Sequence, residues 1–292
     1  MLYNINNVPP AKKTILFSIQ LLLSVFVATV LIANICKVSV SGALVGAGLS
    51  TVIYVIITGW KSPMYISNSG AFVAPVMIAL SMGGYIAVAI GGLITCIVYT
   101  IFGLIFTKIP VENIYKIFPK ALIGSVTMVI GITLMGFIGT YVQINGETNI
   151  WGVIIALIVA LIIALTSHFG KGMAKILPFL IGTLAGYFIC LILTITNVCN
   201  FIDFSVFHNI KLFSFPDLAM QHWEFNFDFN IVSLIIIYIA FTISAMMESL
   251  ADHAALGGII GVDLYKTPGI GKFFIGEGFA NLASSFFGGL GA

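Results

Sequence analysis

An all-α, polytopic membrane protein is the fold class this sequence predicts, on three observations. Of its 292 residues 60% are hydrophobic and 8% charged, with a mean hydropathy of +1.15; a water-soluble domain carries about a quarter charged residues. Apolar segments long enough to cross about 30 Å of hydrocarbon recur along the chain. The lysines fall to one side of those segments, as cytoplasmic loops require.

The first apolar run, 14–36, follows Lys12 and Lys13 as a signal peptide would. It is too long for a typical leader core and further spans follow, so it reads as a retained first span. Others are predicted at 42–60, 82–107, 121–141, 150–166, 176–196 and 231–251. Two segments are irregular. Residues 64–80, within "SPMYISNSGAFVAPVMIAL", are broken by polar and small side chains, and 273–292, "FFIGEGFANLASSFFGGLGA", is short and glycine-rich. If 64–80 crosses and the N-terminus is cytoplasmic, ten lysines face inward: Lys12, Lys13, Lys61, Lys108, Lys116, Lys120, Lys171, Lys175, Lys266 and Lys272. Only Lys37 and Lys211 face outward. Removing the broken segment as a crossing spoils that bias, so it is predicted to span. The polar stretch near 197–230 falls outside, and its "HWEFNFDF" has the aromatic character of a headgroup boundary.

Several classes are excluded or left without support. There is no soluble domain and no nucleotide loop, and no nucleic-acid partner is expected. Cys36, Cys96, Cys190 and Cys199 show no CxxC or zinc spacing, so no metal or cofactor is predicted. Every basic residue is lysine, which removes the bidentate arginine clamp preferred for carboxylate, sulfate or phosphate.

Two places carry candidate chemistry. In "MYISNSGAFVAP" residues Tyr65 to Ser69 read as extended, and a helix starts near Ala71, after Gly70. Backbone groups cannot go unpaired in lipid, so a break at membrane depth must be buried in protein or face a wet cavity. A half-helix starting there presents free N–H groups and a partial positive charge, as in the sites of secondary transporters. The competing reading is a polar hairpin or small-residue packing face. The second place is "FTISAMMESLADHAALGG", 241–258. Glu248 and Asp252 are four apart and share one helix face. Two carboxylates this close in a low dielectric cannot both ionise cheaply, so one binds a proton readily. Here too a second reading stands: Glu248 follows seventeen apolar residues and marks the cytoplasmic interface. His253 reads as a structural or interfacial histidine.

The residues then resemble a known family. "SIQLLLSVFVATVLI" (18–32), "SPMYISNSGAFVAPV" (62–76), "FPKALIGSVTMVIG" (118–131) and above all "ESLADHAALGGIIGVDLYKTPGIGKFFIGEGFANLASSFFGG" (248–289) are similar to the nucleobase–ascorbate transporters. These are also called the nucleobase:cation symporter-2 family and include the xanthine/uracil permease type. The resemblance implies fourteen segments in two inverted repeats of seven, of which this chain holds about nine. It implies core-domain segments at 1–107 and 230–292, gate segments at 108–196 and an extracellular loop at 197–229. It further implies uptake of a nucleobase with a proton, a cytoplasmic-membrane location and a homodimer. Carried over by position, Glu248 accepts the base's N–H groups and couples the proton with Asp252, while the Gly70 amide, flanked by Ser69 and Ala71, faces a base carbonyl.

Three departures accompany the resemblance. Gln20 is followed by Leu21 where uracil-transporting members have histidine. Asp252 stands where they have histidine, which is closer to purine-transporting relatives. The family continues past "FFGGLGA" with an Asn-Thr-Thr-Tyr-Gly-Glu-Asn type run, so a truncated chain is expected. Two alternatives to nucleobase uptake remain at this point: an anion carrier of the related sulfate–bicarbonate fold, and a non-transporting remnant. An intramembrane enzyme using Glu248 and Asp252 as a catalytic or metal-binding pair is a more distant rival.

Overall fold

The computed structural model describes residues 10–144, 147–171, 174, 177–205, 214–225, 228–289 and 291. Lys175 and Lys211, used above for orientation, the N-terminal residues 1–9, and residues 290 and 292 of the last segment lie outside the described residues.

Helices dominate, as the composition demands: in lipid a helix satisfies its backbone groups within one segment. The first two are α1 (Ala11–Cys36) and α2 (Val40–Ile57). A 3-10 turn, Gly70–Phe72, leads into α3 (Val73–Thr107), and α4 (Val111–Ile117) and α5 (Lys120–Met135) follow. A short α6 (Ile138–Tyr141) precedes a two-residue antiparallel pair, β1 (Gln143–Ile144) with β2 (Glu147–Thr148). The remaining helices are α7 (Ile150–Phe169), α8 (Pro178–Ile195), α9 (Ile231–Ile260) and α10 (Ile270–Phe287). Among the described residues six helical stretches are long and apolar enough to cross a membrane: 11–36, 40–57, 70–107, 150–169, 178–195 and 231–260. Large apolar side chains face outward along them, for example Leu157, Ile192 and Ile236, as expected where lipid is the solvent.

The predicted boundaries need three corrections. The break expected between 80 and 82 lies at Gly83 and Gly84 inside α3. Gly84 has φ +63 and ψ −153, a region open in practice to glycine alone. The segment expected at 121–141 stops at Met135, before Gly136, and resumes only as α6. The segment expected to end at 251 continues to Ile260, because Ala254, Ala255 and Leu256 are good helix formers. Gly261, in the left-handed conformation (φ +71), then caps it.

The chain divides into two compact units. Among the described residues the first comprises Thr29–Thr133 and those from Pro216 onward; the second comprises Pro10–Ala28 and those of Leu134–Phe215. In the second unit α7 and α8 pack closely: a side chain at Gly182 would meet Ile163, and one at Gly186 would meet Val159. In the first unit α10 packs against α2 and α3 through glycines. A Cβ on Gly103 would stand 2.9 Å from the Gly271 carbonyl oxygen, and one on Gly271 would stand 2.6 Å from that of Gly103. Small residues let helices approach where water supplies no hydrophobic drive. Tyr54, Tyr99, Phe273 and Phe274 fill the core beside these contacts.

Candidate functional site

Residues 61–69 form no helix, and two of their amides are held by neighbouring segments. The Ile66 amide donates to Thr51 Oγ1 of α2 (3.1 Å). The Ser69 amide donates to the Gly291 carbonyl (2.8 Å). This single bridge is what the expected short strand amounts to. Ser69 is extended (φ −84, ψ 142) and caps the 3-10 turn, its Oγ accepting from the Ala71 amide (3.1 Å). Gly70, Ala71 and Phe72 form the first turn of the half-helix; the Phe72 amide donates to the Ser69 carbonyl (3.2 Å), and the Gly70 amide precedes any intrahelical acceptor. The broken segment expected at Tyr65 to Ala71 is therefore present.

Across from it runs α9. Ser69 Oγ donates to Glu248 Oε2 at 2.5 Å, a charge-assisted geometry. One hydroxyl thus joins the half-helix tip to the carboxylate. Glu248 is half-buried and lies mid-helix in the thirty-residue α9, so it does not mark the helix end. A cavity of about 160 Å³ opens here, lined by Ser67, Ser69, Glu248, Ser249, Asp252 and Glu277 among others. Ser69, Glu248 and Asp252 line it together, with Gly70 and Ala71 immediately after Ser69. Asp252, one turn beyond Glu248, is exposed at its side.

Sequence reasoning missed Glu277. It lies on α10, 3% exposed, with Ser249 Oγ donating to its Oε1 (2.7 Å). Its Oε2 and the Tyr99 hydroxyl are both buried without a hydrogen-bond partner among the described residues. The available signal was an acid inside "FFIGEGFANL", where a carboxylate interrupts a buried glycine-rich face. His253 proves to be fully buried rather than interfacial: its ring stacks on Phe273 at 3.8 Å. No group of three or more His, Cys, Asp or Glu side chains suited to a metal ion is found among the described residues.

The cavity presents three carboxyl groups and no lysine. Its carboxyl oxygens can accept N–H donors, and the tip of the half-helix lies beside them at Ser69.

With this geometry in hand, comparison with known proteins is decisive. Residues 12–292 match the Permease family, the xanthine/uracil permease group. The chain belongs to that family. Its members are permeases, that is transporters and not enzymes. The chain is 29% identical to the uracil permease of Bacillus caldolyticus, over 98% of this chain and 65% of that one. It is 28% identical to the uracil permease of Escherichia coli K12, over 96% of this chain and 63% of that one. The match to the putative pyrimidine permease RutG of the same strain is also 28%, over 97% and 62%. The chain therefore spans a little under two thirds of the length of these relatives.

Proposed function

We propose that this permease takes up a nucleobase, uracil or a xanthine-like purine, together with a proton by alternating access. It would do so across the cytoplasmic membrane, within the family's two inverted repeats, as a homodimer with a cytoplasmic N-terminus. The observation that carries the reading is the Ser69–Glu248 hydrogen bond, which sets a carboxylate against the tip of a half-helix. A nucleobase edge alternates N–H donors with carbonyl acceptors. Glu248 would accept the donors while the Gly70 amide meets a carbonyl, with Ala71 beside it held to Ser69 Oγ. The names of the relatives favour a pyrimidine; Asp252, in place of histidine, favours a purine. Glu248 and Asp252 would share the coupling proton, since two adjacent carboxyl groups in a low dielectric hold one proton more cheaply than two charges. The cavity's volume suits a small ring system rather than a drug-sized ligand. An anion carrier is not favoured: three carboxyl groups and no lysine line the site.

The test is uptake driven by a pH gradient in proteoliposomes containing the native membrane protein, with labelled uracil and labelled xanthine. Glu248→Gln removes at least one charge-assisted hydrogen bond, about 1.5–3 kcal/mol, so uptake at low substrate should fall roughly ten- to a hundred-fold. Unlabelled nucleobases should compete and sulfate should not. Undiminished uptake by the variant removes Glu248 from the site.

A further inference from the structure

The nucleobase reading leaves one buried polar chain unused. From Glu277 it runs away from the carboxylate cavity. Glu277 Oε1 lies 3.7 Å from His253 Nδ1, and His253 Nε2 lies 2.6 Å from the Tyr54 hydroxyl. That hydroxyl is 2.7 Å from Ser62 Oγ. Ser62 is buried, but the residues on either side of it, Lys61 and Pro63, are exposed. The chain therefore links a carboxyl group at the cavity to the lysine-bearing end of the segment. His253 and Tyr54 are both completely buried, 199 positions apart in sequence.

The hydrogen-bond directions narrow what this chain can do. Nδ1 lies 2.8 Å from the Ser249 carbonyl, which only accepts, so Nδ1 carries a proton in this arrangement; Ser249 Oγ, 3.4 Å away, can donate to Nδ1 when that proton has left. The Tyr54 hydroxyl has a single proton to give. If it points to Ser62, Nε2 must carry its own proton and the ring is an imidazolium beside Glu277. If it points to Nε2, the ring is neutral and Ser62 donates to Tyr54. The two arrangements differ by one proton and by the direction of two hydroxyls. Other groups face this ring as well. Tyr265 donates to the Leu250 carbonyl (2.7 Å), and Asp252 is the preceding residue. A second cavity of about 290 Å³ brings His253 and Asp263 into one lining.

We propose that Glu277 exchanges its proton with the Lys61 end of the membrane through His253, Tyr54 and Ser62. In the loading direction Tyr54 passes its hydroxyl proton to Nε2, Ser62 passes its own to Tyr54, and an excess proton from the water at the Lys61 end restores Ser62. The imidazolium then gives its Nδ1 proton to Ser249 Oγ, 3.4 Å away, as Ser249 passes its own proton to Glu277 Oε1 at 2.7 Å; this leaves a neutral ring protonated at Nε2, with the Ser249 hydroxyl turned toward Nδ1. Unloading is the same path reversed. Only O–H and N–H bonds form and break, and one proton moves per passage. The inference deepens the transport reading above: with the orientation proposed there, Glu277 is titrated from inside. Its charge then acts at short range on Glu248 and Asp252 in the shared cavity.

Infrared spectroscopy of the reconstituted membrane protein tests the relay without requiring transport. The protonated carboxyl band of Glu277, assigned by its loss in Glu277→Gln, is followed during exchange into heavy water. His253→Gln and Tyr54→Phe should each slow that exchange at least tenfold. Exchange as fast as in the parent overturns the relay whatever the protein carries. So does failure of both variants to fold, which would make the chain a structural strut. In proteoliposomes with internal and external pH set separately, both variants should retain nucleobase exchange but lose dependence on internal pH. Retained internal dependence overturns the relay. A parent protein that carries no nucleobase instead sinks the transport reading, while the infrared result still decides the relay.

Discussion

Ser69→Ala deletes one oxygen that makes two contacts, and its effect can be worked from the structure. The hydroxyl accepts from the Ala71 amide at 3.1 Å and donates to Glu248 at 2.5 Å. Loss of a cap of this kind costs about 1 kcal/mol. Loss of a hydrogen bond to a charged group costs about 1.5–3 kcal/mol. If the two add, the variant loses roughly 2.5–4 kcal/mol. At about 2–4 °C per kcal/mol for a domain of this size, apparent Tm in detergent falls by roughly 5–16 °C. Ser69→Thr, which keeps the hydroxyl, should lie close to the parent, and Ser81→Ala, on an exposed helical turn, controls for serine loss in general. The cycle with Glu248→Gln isolates the pair: in that background Ser69→Ala should cost about 1 kcal/mol less or better, since neutral partners bond more weakly. Strict additivity of the two substitutions would show that serine and carboxylate do not communicate, and the tie between half-helix and α9 would fail with it.

Two further outcomes are expected. Gly103→Ala places a methyl 2.8 Å from Ile275 Cγ1 and 2.9 Å from a backbone oxygen, so it should destabilise by about 1–3 kcal/mol. Gly131→Ala in α5, with nothing within 4 Å, should be neutral or stabilising by up to about 1 kcal/mol; thermal unfolding compares the two. In the polar loop the Ser205 hydroxyl first, and then the Ser205 amide at 2.9 Å, donate to Asp203 and hold its carboxyl below the ordinary value of 3.8. A depressed folded value means that these contacts support the turn above the unfolded pKa and are lost as pH falls through the folded one. An NMR titration of Asp203 should therefore move upward in Ser205→Ala.

Much of this was legible in the sequence because lipid acts on each segment separately. A stretch such as 231–247 must be helical and apolar whatever its neighbours do, and the "ISNSG" interruption announces a break because polar residues at that depth need a reason. Glu248 and Asp252 share a face by spacing alone. Glu277 was not legible: "IGEGF" reads as a glycine-rich packing surface until α9 is laid against it and Ser249 meets the carboxylate. The residue at which α9 ends was likewise hidden, since Gly261, which stops it, looks like the glycines at 257 and 258.

The amino-acid sequence by itself determined the solvent, the broken segment and the acidic face, since hydrocarbon penalises each exposed polar group where it stands. The tertiary structure alone decided which groups meet: Ser69 with Glu248, Ser249 with Glu277, and Tyr54 with His253. These pairs lie 179, 28 and 199 positions apart. Periodicity describes a helix and its own neighbours, but a hydrogen bond between helices depends on their separation. Between α3 and α10 that separation is set by glycines such as Gly103 and Gly271, where the missing side chains let two backbones come together.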